Sequence, residues 1–395
     1  MGPEAFDIPV GPEGTDGPNG ASAQPESVEG HIVGEPLGYG GVGVVYNATQ
    51  PGLNRIVALK RLRDSLMDDE DERMAFIFEA RVAGQLEHPN ILPVHWLGQD
   101  ANGHPFYTMK RVQGRPLKAV LERLLSGDSA LAADYNIRRL VRIFLNVCSA
   151  VSYAHDQSII HRDIKPENIM LGDHGEVYLM DWGMAKRLSP SPSPSLSDDD
   201  AVMERARGVS TLLSKEASRR ASKDATRKMS GTISRTADAI DFDQTTVLPG
   251  HTPPGVFIGT PLYTSPEQAS GQSHLANERC DIYSLGAVLY EMLCLHPPIR
   301  GETLTDILLN VIRGEIRPPA DIAPPGRDIP VELSSIAMKA LSKSPQDRFQ
   351  TVQEMMIEVE RWIDGRERLR PICEYDFSAL PDSNVLPIDW DIIAG

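Results

Sequence analysis

The chain has 395 residues, 41% hydrophobic and 24% charged, the proportions of a water-soluble globular protein with room for roughly two to three domain-sized units. Its net charge of −16, from 39 basic against 55 acidic residues, argues against nucleic-acid binding, which needs a basic stripe. No run approaches about 18 consecutive apolar residues, so no membrane span is expected. The start, MGPEAFDIPVGPEG, has neither the basic stretch nor the apolar core of a secretory leader, and Phe6 stands where a myristoylation signal needs Ser or Thr. A cytoplasmic protein is expected.

Residues 1–30 hold six acids and no Lys or Arg and are rich in Gly and Pro, which predicts a disordered acidic tail. HIVGEPLG, VGVVYNAT and RIVALKRL then read as three short strands. The first two flank GYGGVGVVY, residues 38–46, where flexible glycine stands beside stiff, strand-favouring valine. That pattern suits a glycine hairpin whose amides lie over phosphates, or simply a turn between strands. Five acids in a row, Asp68 to Glu72, precede a helical pattern at about 69–86, where negative charge favours a helix start. ILPVHWLG and HPFYTMKRV are two further strand-like runs. From about residue 116 the pattern is mainly helical, at 116–125, 136–157, 279–294, 303–313, 331–342 and 351–363. A small β-rich unit followed by a larger helical one is an α+β arrangement.

Residues 188–250 fit no packed element. They open with LSPSPSPSLSDDD and go on through a stretch rich in Ser, Thr, Lys and Arg, the composition of a disordered insert. The last 25 residues hold five acids and no base, yet keep Tyr375, Phe377, Leu380, Leu386 and Trp390, which suggests a tail that docks. Cys148, Cys280, Cys294 and Cys373 contain no C-x-x-C pair and no His at metal-ligand spacing, so reduced, buried thiols are expected.

Val57-Ala58-Leu59-Lys60 lies on the third predicted strand, where alternation puts Lys60 on the face opposite Val57 and Leu59. An inward lysine needs an anionic partner, with Glu79 or nucleotide phosphates as candidates, whereas an outward one is a surface residue. HRDIKPEN at 161–168 and DWG at 181–183 follow. With the glycine loop and the strand lysine, these motifs strongly resemble the signature set of protein kinases. Gly259-Thr260-Pro261 and Ser265-Pro266-Glu267 resemble the substrate-facing end of a kinase activation segment, DIYSLG at 281–286 the buried helix that anchors the catalytic loop, and Arg348 the arginine that pairs with Glu267. Lys165 and Thr260 point to the serine/threonine branch. The texture of EARVAGQLEHPNI and GTPLYTSPEQA is similar to bacterial Hanks-type kinases.

The resemblance covers about residues 31–364 and implies a bilobal kinase fold. It places a β-rich N-lobe at 31–112, a helical C-lobe at 113–364, ATP in the cleft, and acidic tails at 1–30 and 365–395. It implies ATP and Mg2+ as cofactors and proteins with Ser or Thr acceptors as partners. Gly38, Gly40 and Gly43 are implied to hold the phosphates. Val45, Ala58 and Met109 line the adenine pocket, with the backbone of Lys110 and Val112 as hinge. Lys60, oriented by Glu79, is implied to contact the phosphates, and Asn168 and Asp181 the metal. By the same resemblance Asp163 is implied to accept the substrate's proton and Lys165 to stabilise the transferring group. Glu167 and Thr260 are implied to face the substrate.

Two departures from the family pattern stand out. Trp182 replaces the usual Phe, and Ala83, one turn beyond Glu79, is small enough for the larger ring to conserve volume. The segment from Asp181 to Glu267 is also long, because it contains the insert. Arg219-Arg220-Ala221-Ser222 and Ser234-Arg235-Thr236 set basic residues before hydroxyls, which makes Ser222 and Thr236 candidate autophosphorylation sites, with Thr245, Thr246 and Thr252 as alternatives. A pseudokinase scaffold is the alternative reading, but Lys60, Asp163, Asn168 and Asp181 are all present. A small-molecule kinase would lack the Gly259–Glu267 segment.

Overall fold

The computed structural model describes residues 27–188, 261–272 and 276–368. The chain divides into two compact units, one of residues up to Ala80 with Val94–Arg111, the other of Arg81–Pro93 with Val112 onward. In the first, a six-stranded antiparallel sheet comprises β1 (Ser27–Val28), β2 (His31–Tyr39), β3 (Gly43–Gln50), β4 (Arg55–Leu62), β5 (Val94–Gln99) and β6 (Pro105–Lys110), in the order β1-β2-β3-β4-β6-β5. The pairing of β2 with β3 shifts register on either side of Pro36, whose nitrogen has no hydrogen to give the ladder.

The inner strand β4 is buried on both faces. Val57 and Leu59 pack with Val28, Ala48 and Phe106. On the other face Leu62 packs with Tyr107 and with Phe76 and Ala80 of helix α1 (Glu70–Gln85). This helix starts where the acid run predicts. Asp69 Oδ1 accepts the backbone N–H groups of Asp71 and Glu72 at 3.0 and 3.2 Å, and Glu70, Asp71 and Glu72 fill the first turn.

The second unit is mainly helical: α2 (Leu117–Leu125), α3 (Ser129–Asp134), α4 (Ile137–Asp156), α5 (Pro266–Ala269), α6 (Glu278–Cys294), α7 (Leu304–Arg313), α8 (Val331–Ala340) and α9 (Val352–Arg368). Small strands β7 (Gly114–Pro116), β9 (Ile169–Gly172) and β10 (Val177–Leu179) form one sheet, and β8 (Ile159–Ile160) pairs with β11 (Lys186–Arg187). Helix α6 is buried all round from Cys280 to Cys294. A Cβ on its Gly286 would stand 2.7 Å from Ala340 Cβ, so only glycine lets α6 approach α8 this closely.

Several predicted boundaries are corrected. The acidic tail does not extend to residue 30, because Ser27 and Val28 pair with Ile32 and His31, and Val28 is buried in the sheet core. The insert does not begin at 188: Leu188 donates its N–H to Ser158 O at 2.7 Å and packs against Ile160, Ala276 and Cys280. The last helix runs beyond 363 to Arg368, into the segment assigned to the second tail, while α8 stops at Ala340 rather than 342. Short α3, capped by Asp128, had no periodic signal to reveal it. Cys148, Cys280 and Cys294 are free and buried, as expected. The first tail up to residue 26, the insert from 189 and the second tail from 369 lie outside the described residues.

Candidate active site

In the first unit the strand register gathers the residues that the sequence singles out. Val45 pairs with Lys60, Ala58 with Met109, and Lys60 with Tyr107. Paired residues share a face, so Val45, Ala58, Lys60 and Met109 form one patch. Lys110 pairs with Val57 and belongs to the opposite face, while Val112 falls in the second unit.

Lys60 Nζ donates to both carboxylate oxygens of Glu79, at 2.7 and 2.9 Å. The Tyr107 hydroxyl donates to Oε1 of the same carboxylate at 2.7 Å. Glu79 is buried, and these donors satisfy a charge that would otherwise be costly there. Tyr107 is a residue that sequence reasoning missed, because only the strand register sets it opposite Lys60.

The glycine hairpin beside this patch closes through Gly40, whose N–H donates to Gly43 O at 2.8 Å, so that amide is committed to the turn. A Cβ on Gly43 would lie 2.8 Å from Arg61 O, too close for any other residue without backbone movement. A Cβ on Gly38 meets nothing within 4 Å, which leaves open space over the strand.

In the second unit, β8 and β9 bracket the loop His161–Asn168. Asp281, fully buried on α6, anchors it. Its Oδ2 accepts the His161 N–H and its Oδ1 the Arg162 N–H, both at 2.8 Å, and His155 Nε2 lies 2.8 Å from Oδ2. Burial pushes the Asp281 carboxyl upward, but the His155 hydrogen bond, the charges of His155 and His161 and the His161 amide outweigh it and hold it below the ordinary range. Arg162 Nε donates to Met184 O at 2.6 Å, and Gln268 on α5 donates to Arg162 O at 3.3 Å.

Asp163 is thereby held at a defined place. Its Oδ2 lies 2.6 Å from Lys165 Nζ, and Asn168 Nδ2 donates to its backbone oxygen at 2.9 Å and to Oδ2 at 3.3 Å. Met180 returns an N–H to Asn168 O at 2.9 Å, which ties the next residue, Asp181, to the same loop. Asp181 is exposed, has φ 64 and makes no hydrogen bond or ion pair among the described residues. A non-glycine residue in this left-handed region stores roughly 1–3 kcal/mol, as does Arg162 at φ 68. No group of three or more His, Cys, Asp or Glu able to hold a metal occurs among the described residues.

Trp182 is 1% exposed, and its ring tilts against His161 at a centroid distance of 4.6 Å. Its indole N–H has no partner among the described residues. Ala83, in the same unit, is buried. Arg348 and Glu267 form the expected pair through two 2.8 Å bonds. Glu167 is exposed on the turn Pro166–Asn168. A second missed network joins Glu291 to Lys118 at 3.1 Å and to the Tyr263 hydroxyl at 2.6 Å. Thr260 and the candidate phosphosites Ser222, Thr236, Thr245, Thr246 and Thr252 lie outside the described residues.

The sequence matches the family described as Protein kinase domain over residues 31–213 and 234–359. The break, 214–233, lies inside the stretch set apart on composition. The chain is 34% identical over 334 residues to the serine/threonine-protein kinase PknD of Protochlamydia amoebophila. It is 35% identical over 338 residues to that of Chlamydia felis, and 33% over 336 to that of Chlamydia trachomatis serovar D. These alignments cover 84%, 85% and 83% of this chain but only 29%, 31% and 31% of the relatives, so the chain spans about a third of their length.

Proposed function

Because the chain belongs to the protein kinase family, we propose that it transfers the γ-phosphate of ATP to serine and threonine hydroxyls of protein substrates. The observation that carries this reading is the setting of Asp163. Its carboxylate is held by Lys165 and Asn168 on a loop anchored to a buried aspartate. A carboxylate so placed accepts a proton from an acceptor hydroxyl, and the adjacent ammonium offsets negative charge on a transferring phosphoryl group.

The donor set fits magnesium. Asp181 offers an unpaired carboxylate, and Asn168, which donates through Nδ2, has its amide oxygen without a partner among the described residues. Two protein oxygens suit a hard cation that completes its shell with water and phosphate oxygens. Bound there, the ion neutralises phosphate charge. In the first unit Lys60 contributes a cation whose direction Glu79 and Tyr107 set, and Val45, Ala58 and Met109 supply an apolar face suited to adenine. The open space over Gly38 suits close approach of a phosphate chain to backbone.

The domain in this reading spans 27–368, and the insert is a target of the chain's own activity. Tethering raises the effective concentration even of a poor site, and the basic residues before Ser222 and Thr236 suit an acidic Glu167. A cytoplasmic location belongs to the same proposal; no helix among the described residues is long and apolar enough to cross a membrane.

The test is incubation of the full chain with labelled ATP, magnesium and a generic protein substrate, beside Asp163→Asn. Label on substrate serine or threonine with wild type alone supports the proposal. Equal, background labelling of both replaces it with a scaffold role. Phosphosite mapping of the same samples tests the insert: no phosphate between Ser189 and Thr252 in wild type removes the autophosphorylation part.

A further inference from the structure

Helices α8 and α9 of the second unit flank a groove that no described residue fills. Its cavity, about 840 Å3, is lined by Val331, Ile336, Lys339, Phe349, Arg361 and Trp362, among others. A second hollow of about 410 Å3 shares Trp362 and adds Ile137, Pro330 and Ile363. Val331, in the first turn of α8, is 76% exposed at the rim of the larger cavity. Apolar hollows of this size on a folded surface mark an interaction site.

The chain itself carries a segment that fits. Gly365 lines the larger cavity and α9 ends at Arg368, so the chain leaves the helix at the edge of the groove. Pro371 follows, and then Glu374-Tyr375-Asp376-Phe377 alternates acidic and aromatic residues, a period that presents both rings on one side of an extended strand. Tyr375 is seven residues past the helix end at Arg368, a reach of at most about 25 Å, enough to fold back over the cavity. Along the chain, residues 361–370 hold Arg361, Arg366, Arg368 and Arg370 against Asp364 and Glu367, whereas residues 371–395 hold five acids and no base. The cavity itself is lined by the bases Lys339 and Arg361 and by the acids Glu332 and Glu358. Among the described residues Arg361 pairs only with Glu358, at the exposed surface, an interaction of little worth and easily exchanged.

We infer that residues 371–395 dock back onto the α8–α9 groove of their own chain, with Tyr375 and Phe377 entering the cavity and Glu374 and Asp376 facing Lys339 and Arg361. The docked segment covers Trp362 and Val331 and braces the end of the helical unit.

A photoreactive benzophenone residue at position 375 of the full chain tests this, in an equal mixture of 14N- and 15N-labelled protein. Cross-links within one chain to 331–339 or 358–365 support the inference. Cross-links between differently labelled chains show that a second copy covers the groove, and none in the groove shows that the tail lies elsewhere; either overturns it. A separate readout uses the full chain carrying Tyr375→Ser and Phe377→Ser, positions beyond the described helices. Hydrogen exchange in 331–340 and 352–363 should rise roughly tenfold while α6 stays protected. Unchanged exchange in those helices overturns the inference.

Discussion

Lys60 on β4 and Glu79 on α1 meet through two hydrogen bonds, 2.7 and 2.9 Å, and Tyr107 closes the triad at 2.7 Å. The tyrosine is the part open to a clean test. Tyr107→Phe removes one donor to a buried carboxylate and leaves the lysine in place, so stability should fall by about 1–3 kcal/mol. Activity should fall less than tenfold in this variant, and by about a hundredfold or more in Glu79→Gln, which removes the charge that orients Lys60. Denaturant melts beside steady-state kinetics check both. Equal activity losses would mean that Glu79 acts through Tyr107 and not through Lys60.

Lys60→Met and Asp181→Asn should each abolish phosphoryl transfer while the protein stays folded. Asp181 is exposed, so its change disturbs no core. Lys60→Met keeps the side-chain length but leaves the buried Glu79 carboxylate to Tyr107 alone, so its melt should fall, by about 3 kcal/mol, without loss of the fold. Circular dichroism melts with single-turnover assays separate the effects. Near-wild-type activity in two folded variants would refute the assigned roles.

Trp182 and Ala83 should be energetically coupled. Ala83→Leu alone should overpack the interior, costing roughly 1–3 kcal/mol or a comparable loss of activity. Trp182→Phe removes ring volume together with an indole N–H that has no partner among the described residues, and should relieve part of that cost. A double-mutant cycle reads the interaction energy, and strict additivity would show that the two side chains do not touch.

Asp281 makes a prediction about pH. Its folded-state acidity lies below the ordinary carboxyl value, so its stabilisation is complete above that value and is lost as pH falls through the lower, folded one. Asp281→Asn leaves the His161 and Arg162 amides facing an amide that can accept only one of them well. It should destabilise the protein by about 3–5 kcal/mol at pH 7. The gap between wild type and variant in urea unfolding should then narrow below about pH 4. A gap that stays constant down to pH 3 would show that the carboxylate charge is not what anchors the loop.

What the sequence by itself determined was local or ordered along the chain. The acid run at 68–72 and its cap specify where α1 begins, VGVVYNAT and RIVALKRL specify β3 and β4 to within a residue, and the motifs from Lys60 to Arg348 appear in order at usable spacings. Tertiary structure alone decided the partners. Alternation showed that Lys60 lies opposite Val57, but only the β4–β6 register places Tyr107 beside it, since register depends on pairing between strands 47 residues apart. Met184 and Met180 serve through backbone oxygens, which carry no side-chain signature. The Asp281 contacts bridge about 120 residues, and the edges at Val28, Leu188 and Arg368 follow from burial and helix propagation. These are properties of the packed chain, where one residue's environment is made by others far away in sequence.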